Sequence, residues 1–255
     1  MEEKIVLDVK DLSVIRSGKL VLENISLKIK SGEFVGIVGP NGSGKSTLML
    51  SILGILKAQH GSVSIYDSPP MSRTLIGKIG WVSQAAANMK KEIRITVEEL
   101  VKLGTINSKN MFFRSRKDQH AAVENAMRMV GMEEFRNTDI TKLSGGQKQR
   151  AVIARALASN ADFILLDEPL VGIDRNSRNS LLKLLDNLCH DEGKTIMMVS
   201  HDLAAIRQTA HRMIFLEQKI WFDGSSEEFP DLGELADLRG IQHVHGHVNC
   251  MEEKE

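Results

Sequence analysis

Hydrophobic residues along this chain follow two spacings, and each spacing predicts a different element. Near the N-terminus apolar and polar residues alternate, as at Ile5, Leu7 and Val9 and again over residues 21–29, which predicts β-strands with one buried face. Residues 34–38 form a short, wholly apolar run. Such a run is typical of a strand buried on both faces of a parallel sheet.

The rest of the chain alternates between strand-like and helix-like segments. Further strands are predicted over residues 62–66, 79–82, 163–166, 195–199 and 213–216, and helices over 47–56, 148–158, 181–188 and 203–209. This alternation predicts a mainly parallel sheet. Residues 96–132 instead have apolar residues at helical spacing, interrupted by a basic segment, 108–117, that we expect to be a loop between helices.

Composition narrows the class of protein. The chain has 255 residues, of which 42% are hydrophobic and 26% charged, as in a soluble globular protein of one domain or two closely joined subdomains. The formal net charge of +0 argues against a protein that coats nucleic acid, since phosphate binding favours a basic surplus. We expect Cys189 and Cys250 to be unpaired thiols in a reducing compartment. No signal-peptide core is apparent and no apolar run approaches the roughly 18 residues of a membrane span, so any membrane part would belong to another chain.

The strongest motif follows the buried strand. Residues 39–47, Gly-Pro-Asn-Gly-Ser-Gly-Lys-Ser-Thr, fit the phosphate loop G-x-x-x-x-G-K-[ST], with a strand before it and a helix after it. Its glycines (Gly39, Gly42 and Gly44) let backbone N–H groups crowd around a polyphosphate. Pro40, Asn41, Ser43 and Thr47 complete the loop; Lys45 is expected to pair with the β- and γ-phosphates and Ser46 to ligate Mg²⁺.

Two acids close another apolar run. Asp167 and Glu168 follow residues 163–166, so the strand delivers them to the carboxyl edge of the sheet, where α/β proteins bind ligands. Asp167 suits Mg²⁺ ligation. Glu168 can face a water in line with the γ-phosphate as a general base.

Three further features are candidate site residues only because of their order along the chain relative to the phosphate loop and the two acids. Residues 143–147, Leu-Ser-Gly-Gly-Gln, hereafter the signature segment, precede a long helix; Ser144 is a good N-cap, and the glycines expose backbone N–H groups. Gln84 and His201 each follow a predicted strand. Taken alone, each of these features is equally compatible with an ordinary capped helix or a surface side chain.

In this order and spacing, the phosphate loop, Gln84, the signature segment, Asp167-Glu168 and His201 resemble the ATP-binding-cassette (ABC) family over residues 5–225. The resemblance implies a P-loop NTPase fold with a mainly parallel core sheet, an N-terminal antiparallel β subdomain and an inserted helical subdomain at about residues 88–158. It places the ATPase domain at residues 1–230 and a polar, histidine-containing tail at 231–255. The chain would hydrolyse ATP with Mg²⁺ as cofactor.

The resemblance also implies residue roles and partners. Gln84 would contact Mg²⁺ and the attacking water and link the site to the transport partner, while His201 would orient the γ-phosphate and the water. Ser144, Gly146 and Gln147 would bind ATP held by a second copy in a head-to-tail dimer, and Asp174 matches the loop that crosses between the copies. The family usually stacks an aromatic residue on adenine; that position falls near Arg16, whose planar guanidinium can stack on a ring or simply face solvent.

Weaker sequence features indicate which type of ABC protein this ATPase subunit resembles. The chain looks most like ATPase subunits of zinc and manganese importers, from residues 95–100 (Ile-Thr-Val-Glu-Glu-Leu) and from His243, His245 and His247 in the tail. Residues 95–100 are also explained by a capping box of Thr96 with Glu99. The tail, with Cys250, either binds Zn²⁺ or is merely solvated.

If the chain is part of a transporter, its expected partners are integral membrane permease subunits and, indirectly, a solute-binding protein, and no nucleic acid is expected. The chain would then lie peripherally on the cytoplasmic face of the membrane. The alternative is a soluble ABC ATPase of the iron–sulfur assembly type with no permease.

Overall fold

The computed structural model describes residues 4–87, 94–106, 116–231 and 233–235. The strands are β1 (Ile5–Arg16), β2 (Lys19–Lys30), β3 (Phe34–Val38), β4 (His60–Ile65), β5 (Ile79–Val82), β6 (Phe163–Asp167), β7 (Thr195–Val199), β8 (Arg212–Glu217) and β9 (Lys219–Ser225). The helices are α1 (Lys45–Ile52), α2 (Val97–Leu103), α3 (Arg116–Met129), α4 (Gly145–Leu157), α5 (Arg175–His190) and α6 (Leu203–Thr209).

Two sheets form the framework. The first is antiparallel, in the order β2-β1-β4, and its hairpin turns at Ser17 and Gly18, which both have positive φ, as a tight two-residue turn requires. The second has six strands in the order β5-β6-β7-β3-β8-β9. Its first five strands are parallel and β9 is antiparallel. The predicted α/β fold, an antiparallel sheet beside a mainly parallel one, is confirmed.

Parallel pairing brings distant parts of the chain to one edge. Strands β5, β6, β7 and β3 are neighbours and run the same way. Their carboxyl ends therefore lie side by side, and so do the segments that follow them. This edge carries most of the residues singled out from the sequence.

Helices α2, α3 and α4 pack against one another, and their apolar faces join the core that covers one side of the six-stranded sheet. The hydrophobic face of the antiparallel sheet, with α1, covers the other side. The helical content predicted for residues 96–132 is thus present. Most of the basic segment predicted to be a loop lies outside the described residues. No helix within the described ranges is long and apolar enough to span a membrane.

Two helix boundaries were predicted wrongly, and one strand was not predicted. Helix α5 begins at Arg175 rather than near residue 181, because its first turn is polar and begins at the Asp174 cap instead of at an apolar repeat. Helix α1 ends at Ile52 rather than 56, where Gly54 has φ +74°. Strand β9 was not predicted; its residues are alternately exposed and half-buried, a weak pattern typical of an edge strand.

Candidate functional site

The phosphate loop leaves the carboxyl end of β3 and enters α1. A Cβ atom added to Gly39 would lie 2.1 Å from the carbonyl oxygen of Leu216, and one added to Gly44, at φ +101°, would lie 2.6 Å from a methyl group of Leu22. Both positions therefore require glycine. The loop is pressed against β8 on one side and β2 on the other, which holds its backbone in place.

Lys45 sits inside the curve of this loop. Its Nζ donates hydrogen bonds to the carbonyl oxygens of Gly39 (2.8 Å) and Pro40 (2.9 Å), and the residue is buried. Burial lowers the pKa of Lys45, an effect opposed by the negative charges of Glu168 and Asp167. The hydroxyl of Ser43 is also buried and has no hydrogen-bond partner in the described structure. A buried ammonium and an unpaired hydroxyl in a glycine loop fit a polyphosphate ligand.

Ser46 and Asp167 approach each other across the site. Asp167 ends β6 and pairs with Val199 of β7, and its Oδ1 accepts a long hydrogen bond of 3.5 Å from the Ser46 hydroxyl. Burial and the neighbouring Glu168 raise the pKa of Asp167, whereas the Ser46 hydrogen bond and the Lys45 charge lower it. One hydroxyl and one carboxylate supply the hard oxygen donors that Mg²⁺ prefers.

Glu168 and His201 form the next pair. The backbone of Glu168 has φ +51°, a conformation uncommon outside glycine and frequent at functional sites, and its N–H donates to the Val199 carbonyl (2.9 Å). Its Oε2 lies 2.8 Å from Nδ1 of His201 and 3.4 Å from the His201 backbone nitrogen. Opposite an ionised carboxylate, which only accepts, Nδ1 is the ring nitrogen of His201 that would donate.

Ser43, Lys45, Ser46, Glu168 and His201 line one cavity of about 610 Å³, here called the loop cavity, whereas Asp167 is not among its lining residues. Its lining residues are Arg16, Ser17, Val21, Asn41, Gly42, Ser43, Gly44, Lys45, Ser46, Thr47, Gln84, Glu168, Val171 and His201. Gln84, which begins a short 3-10 turn after β5, therefore joins the phosphate loop as expected. Ser17, Val21 and Val171 were not predicted as site residues, although a Ser-Gly dipeptide such as Ser17-Gly18 is a turn signal.

Arg16 occupies the part of the loop cavity contributed by the first hairpin, beside Ser17 and Val21. The lining residues in the described structure include no Phe, Tyr or Trp. The missing aromatic ring is therefore not supplied from elsewhere in the described chain, and Arg16 is the planar side chain present there.

The signature segment lies elsewhere. Ser144 caps α4: its Oγ accepts from the backbone N–H of Gln147 (3.3 Å), and Oε1 of Gln147 accepts from the N–H of Ser144 (2.9 Å). Ser144 is exposed, and Ser144, Gly146 and Gln147 are not among the lining residues of the loop cavity. The signature segment and the loop cavity of one chain are thus separate.

The signature segment packs on the start of α5. A Cβ on Gly145 would lie 3.1 Å from the carbonyl oxygen of Gly172, and one on Gly146 would lie 2.5 Å from Cβ of Ser177. Asp174 caps α5 by accepting from the N–H of Ser177 (3.0 Å). The segment around Asp174 is therefore in direct contact with the signature segment.

Other features have simpler explanations. Thr96 and Glu99 form the capping box at the start of α2, which confirms that interpretation of residues 95–100. Cys189 is an unpaired, buried thiol; burial, with smaller contributions from Asp186 and Glu33, raises its pKa to about 11. His243, His245, His247 and Cys250 lie outside the described residues.

A glycine loop between a buried strand and a helix, with a lysine inside it and an acid ending the adjacent strand, defines a P-loop nucleotide-binding protein. Comparison with known proteins then specifies the family: the chain belongs to the ABC transporter family, whose sequence model matches residues 22–171. It therefore binds ATP and is an ATPase subunit of a transporter.

Relatives of known name resemble most of the chain. It is 36% identical to the zinc uptake system ATP-binding protein ZurA of Listeria innocua, over 88% of this chain and 87% of that protein. It is 39% identical to the zinc uptake ATP-binding protein ZnuC of Bacillus subtilis, over 84% of this chain and 91% of that one. It is also 39% identical to the manganese transport ATP-binding protein MntB of Halalkalibacterium halodurans, over 84% of each.

Solved structures agree on the fold. CbiO1 of Clostridium perfringens, part of the ABC transporter complex cbiONQ, is 29% identical with a TM-score of 0.80, over 94% of this chain and 95% of that one. The ATP-binding cassette MJ0796, solved as a dimer bound to ADP and phosphate, is 32% identical with a TM-score of 0.72, over 88% of this chain and all of the other.

Proposed function

We propose that the loop cavity is the hydrolytic half-site and that Glu168 is its general base. The observation that carries this proposal is the Glu168–His201 contact of 2.8 Å in the cavity that Lys45 and Ser46 also line. Glu168 takes a proton from water as the water oxygen bonds to the γ-phosphorus and the bond to ADP breaks. His201 holds the carboxylate and orients the γ-phosphate.

The other residues bind and position. Backbone N–H groups of residues 39–47 and the Lys45 ammonium hold the phosphates. Mg²⁺, when bound, would neutralise charge on the phosphate oxygens, and Ser46, Asp167 and Gln84 are the side chains that would hold it. Gln84 would additionally contact the attacking water and link the site to the transport partner.

Replacing Glu168 with glutamine tests the base assignment. The amide keeps the shape and the hydrogen-bonding capacity of the side chain but cannot accept the proton, so turnover should fall by about 100-fold or more while ATP binding persists. The measurement is phosphate release by the purified full-length chain, beside binding of a fluorescent ATP analogue. Glu192→Gln, an exposed acid on the chain, is the matched control. Parental turnover by Glu168→Gln would make the assignment wrong.

We infer that two copies complete the site head to tail. Ser144 of the signature segment is exposed, the segment lies apart from the loop cavity of its own chain, and ATP held by one copy would contact Ser144, Gly146 and Gln147 of the other. The dimeric MJ0796 cassette supports this arrangement.

We further propose that the transported solute is a divalent metal ion, zinc or manganese. Relatives that align with 84–88% of this chain are named for zinc uptake or manganese transport, which favours the importer over the soluble iron–sulfur assembly alternative. The chain would then work at the cytoplasmic face of the membrane, bound to permease subunits and served indirectly by a solute-binding protein.

Uptake measurements separate the two possibilities. A strain lacking this gene should take up less radioactive zinc or manganese at low external metal, and the wild-type gene, but not a Lys45→Ala copy, should restore uptake. Normal uptake of both metals with failing iron–sulfur enzymes would instead support the soluble alternative.

A further inference from the structure

An ion pair links the start of α5 to the segment that carries His201. Arg178 lies in the first turn of α5, and its backbone N–H donates to the carbonyl of Asp174 (2.9 Å). Its guanidinium Nη1 donates to Oδ2 of Asp202. Asp202 follows His201 directly, so the pair joins two segments that both border the proposed site.

Each oxygen of the Asp202 carboxylate has a separate role. Oδ1 accepts from the backbone N–H of Ala205 (3.1 Å) and caps α6, whereas Oδ2 accepts from Arg178. The backbone N–H of Asp202 donates to the hydroxyl of Ser200 (3.1 Å). The carboxylate is therefore held by two donors, and the backbone N–H of Asp202 is held by a third contact.

The Arg178–Asp202 ion pair contributes little to the stability of the fold. The Arg178 side chain is 39% exposed and that of Asp202 20%, and ion pairs with this much solvent contact contribute little to the free energy of unfolding. A charged pair can still define a geometry, because a guanidinium donates in fixed directions. Its position, rather than its contribution to stability, is the notable feature.

The other end of the link reaches the signature segment. Ser177, the neighbour of Arg178, lies so close to Gly146 that a Cβ on the glycine would approach it to 2.5 Å. A shift of the α4 start would therefore move the start of α5. The contacts run without a break from Gly146 through Ser177, Arg178 and Asp202 to His201.

Resting on the role proposed for Glu168, we propose that Arg178 is a positioning residue. Through Asp202 it holds His201, and with it the Glu168 carboxylate, in a fixed position relative to the signature segment of the same chain. ATP bound to that segment by a second copy would thereby influence the base in this copy's own loop cavity. The link would let one half of the dimer sense the occupancy of the other.

Steady-state hydrolysis by full-length variants tests the link. Arg178→Ala should lower kcat about tenfold while KM for ATP stays within about twofold, because Arg178 does not line the loop cavity. Asp202→Asn, which keeps an oxygen to cap α6, should have the same effect. The double variant should be no slower than either single variant, as expected for two members of one interaction.

Two variants distinguish positioning from a general loss of structure. Arg178→Lys keeps the charge and should recover part of kcat. Lys194→Ala removes the cation of another ion pair, with Asp162 at 2.9 Å, at the opposite edge of the sheet, and should leave kcat unchanged. Thermal unfolding of all variants should occur within a few degrees of the parent.

The outcomes are decisive. A parental kcat for Arg178→Ala, additive losses in the double variant, or losses that follow the unfolding temperature would each overturn the proposal. If instead the assignment of Glu168 as general base is wrong, the result is different: Glu168→Gln would hydrolyse ATP at the parental rate whatever the Arg178 variants do.

Discussion

At the scale of single residues, the loop cavity concentrates charge in a partly buried space. Lys45 lies between loop carbonyls and two carboxylates, and burial lowers its pKa while Glu168 and Asp167 oppose that effect. The cation is thus held by acceptors that are weaker than a phosphate. A polyphosphate would offer it a full negative charge in their place.

Lys45→Ala should weaken ATP binding by about 10- to 100-fold, the loss expected for a hydrogen bond to a charged group. Equilibrium titration with a fluorescent ATP analogue measures this, and Lys57→Ala, an exposed lysine beyond α1, should bind like the parent. Equal affinity of Lys45→Ala and the parent would remove Lys45 from the phosphate site.

Asp167 illustrates a site residue held at a cost to stability. Its pKa is raised, mainly by burial and then by Glu168, so folding is penalised progressively as the pH rises from the ordinary pKa of an aspartate to the raised one, and fully above it. Asp167→Asn should therefore raise Tm at neutral pH, by about 2 °C, while Mg²⁺-dependent hydrolysis is lost.

The stability difference should depend on pH in one direction. As the pH falls through the raised pKa, the parent protonates Asp167 and loses the penalty, so the two melting curves should converge in acid and separate at neutral pH. Melting without nucleotide or metal across this range is the measurement. A variant less stable than the parent at neutral pH would contradict the reasoning.

At the scale of elements, the site depends on how closely helices approach the central sheet. Strand β3, which ends at the phosphate loop, contacts α6, which follows His201. A Cβ on Gly36 of β3 would lie 2.1 Å from Cγ2 of Ile206 in α6. The absence of a side chain at Gly36 sets the distance between the two elements.

Gly36→Ala should therefore destabilise the fold by overpacking, by about 1–3 kcal/mol or roughly 5 °C in Tm, and should lower turnover because α6 moves relative to β3. Ile206→Ala opens the space, so the double variant should lose less stability than the sum of the single losses. Additive losses in thermal unfolding would show that the two residues do not interact.

At the scale of the whole molecule, the loop cavity and the signature segment face different surroundings. The loop cavity contains the phosphate loop and the proposed base, while the signature segment exposes Ser144 and packs on the start of α5. In the proposed head-to-tail arrangement, the signature segment of a second copy completes each loop cavity. The separation of the surfaces predicts association that depends on ATP.

The Glu168→Gln chain, which should hold ATP without hydrolysing it, should shift from monomer to dimer when ATP and Mg²⁺ are added. Ser144→Arg places a large cation in the opposed surface and should prevent the shift, whereas Ser226→Arg, at the far end of β9, should not. Size-exclusion chromatography with light scattering provides the measurement. No ATP-dependent dimer, even with the permease present, would count against the head-to-tail arrangement.

The sequence by itself determined the motifs and the class of fold. The phosphate loop, Asp167-Glu168, the capping box at Thr96 and the N-cap at Ser144 were all predictable, because each is a contiguous segment whose chemistry depends on glycines and caps a few residues apart. The parallel sheet was predictable too, since alternating strands and helices rarely pack otherwise.

Only the tertiary structure decided which of these residues meet. The contact of Glu168 with His201 and the pair of Arg178 with Asp202 join residues 33 and 24 positions apart. They depend on the order in which β6, β7 and β3 lie in the sheet. Hydrophobic periodicity records which face of a strand is buried but not which strand lies beside it. For that reason the separation of the signature segment from its own loop cavity became visible only in the folded chain.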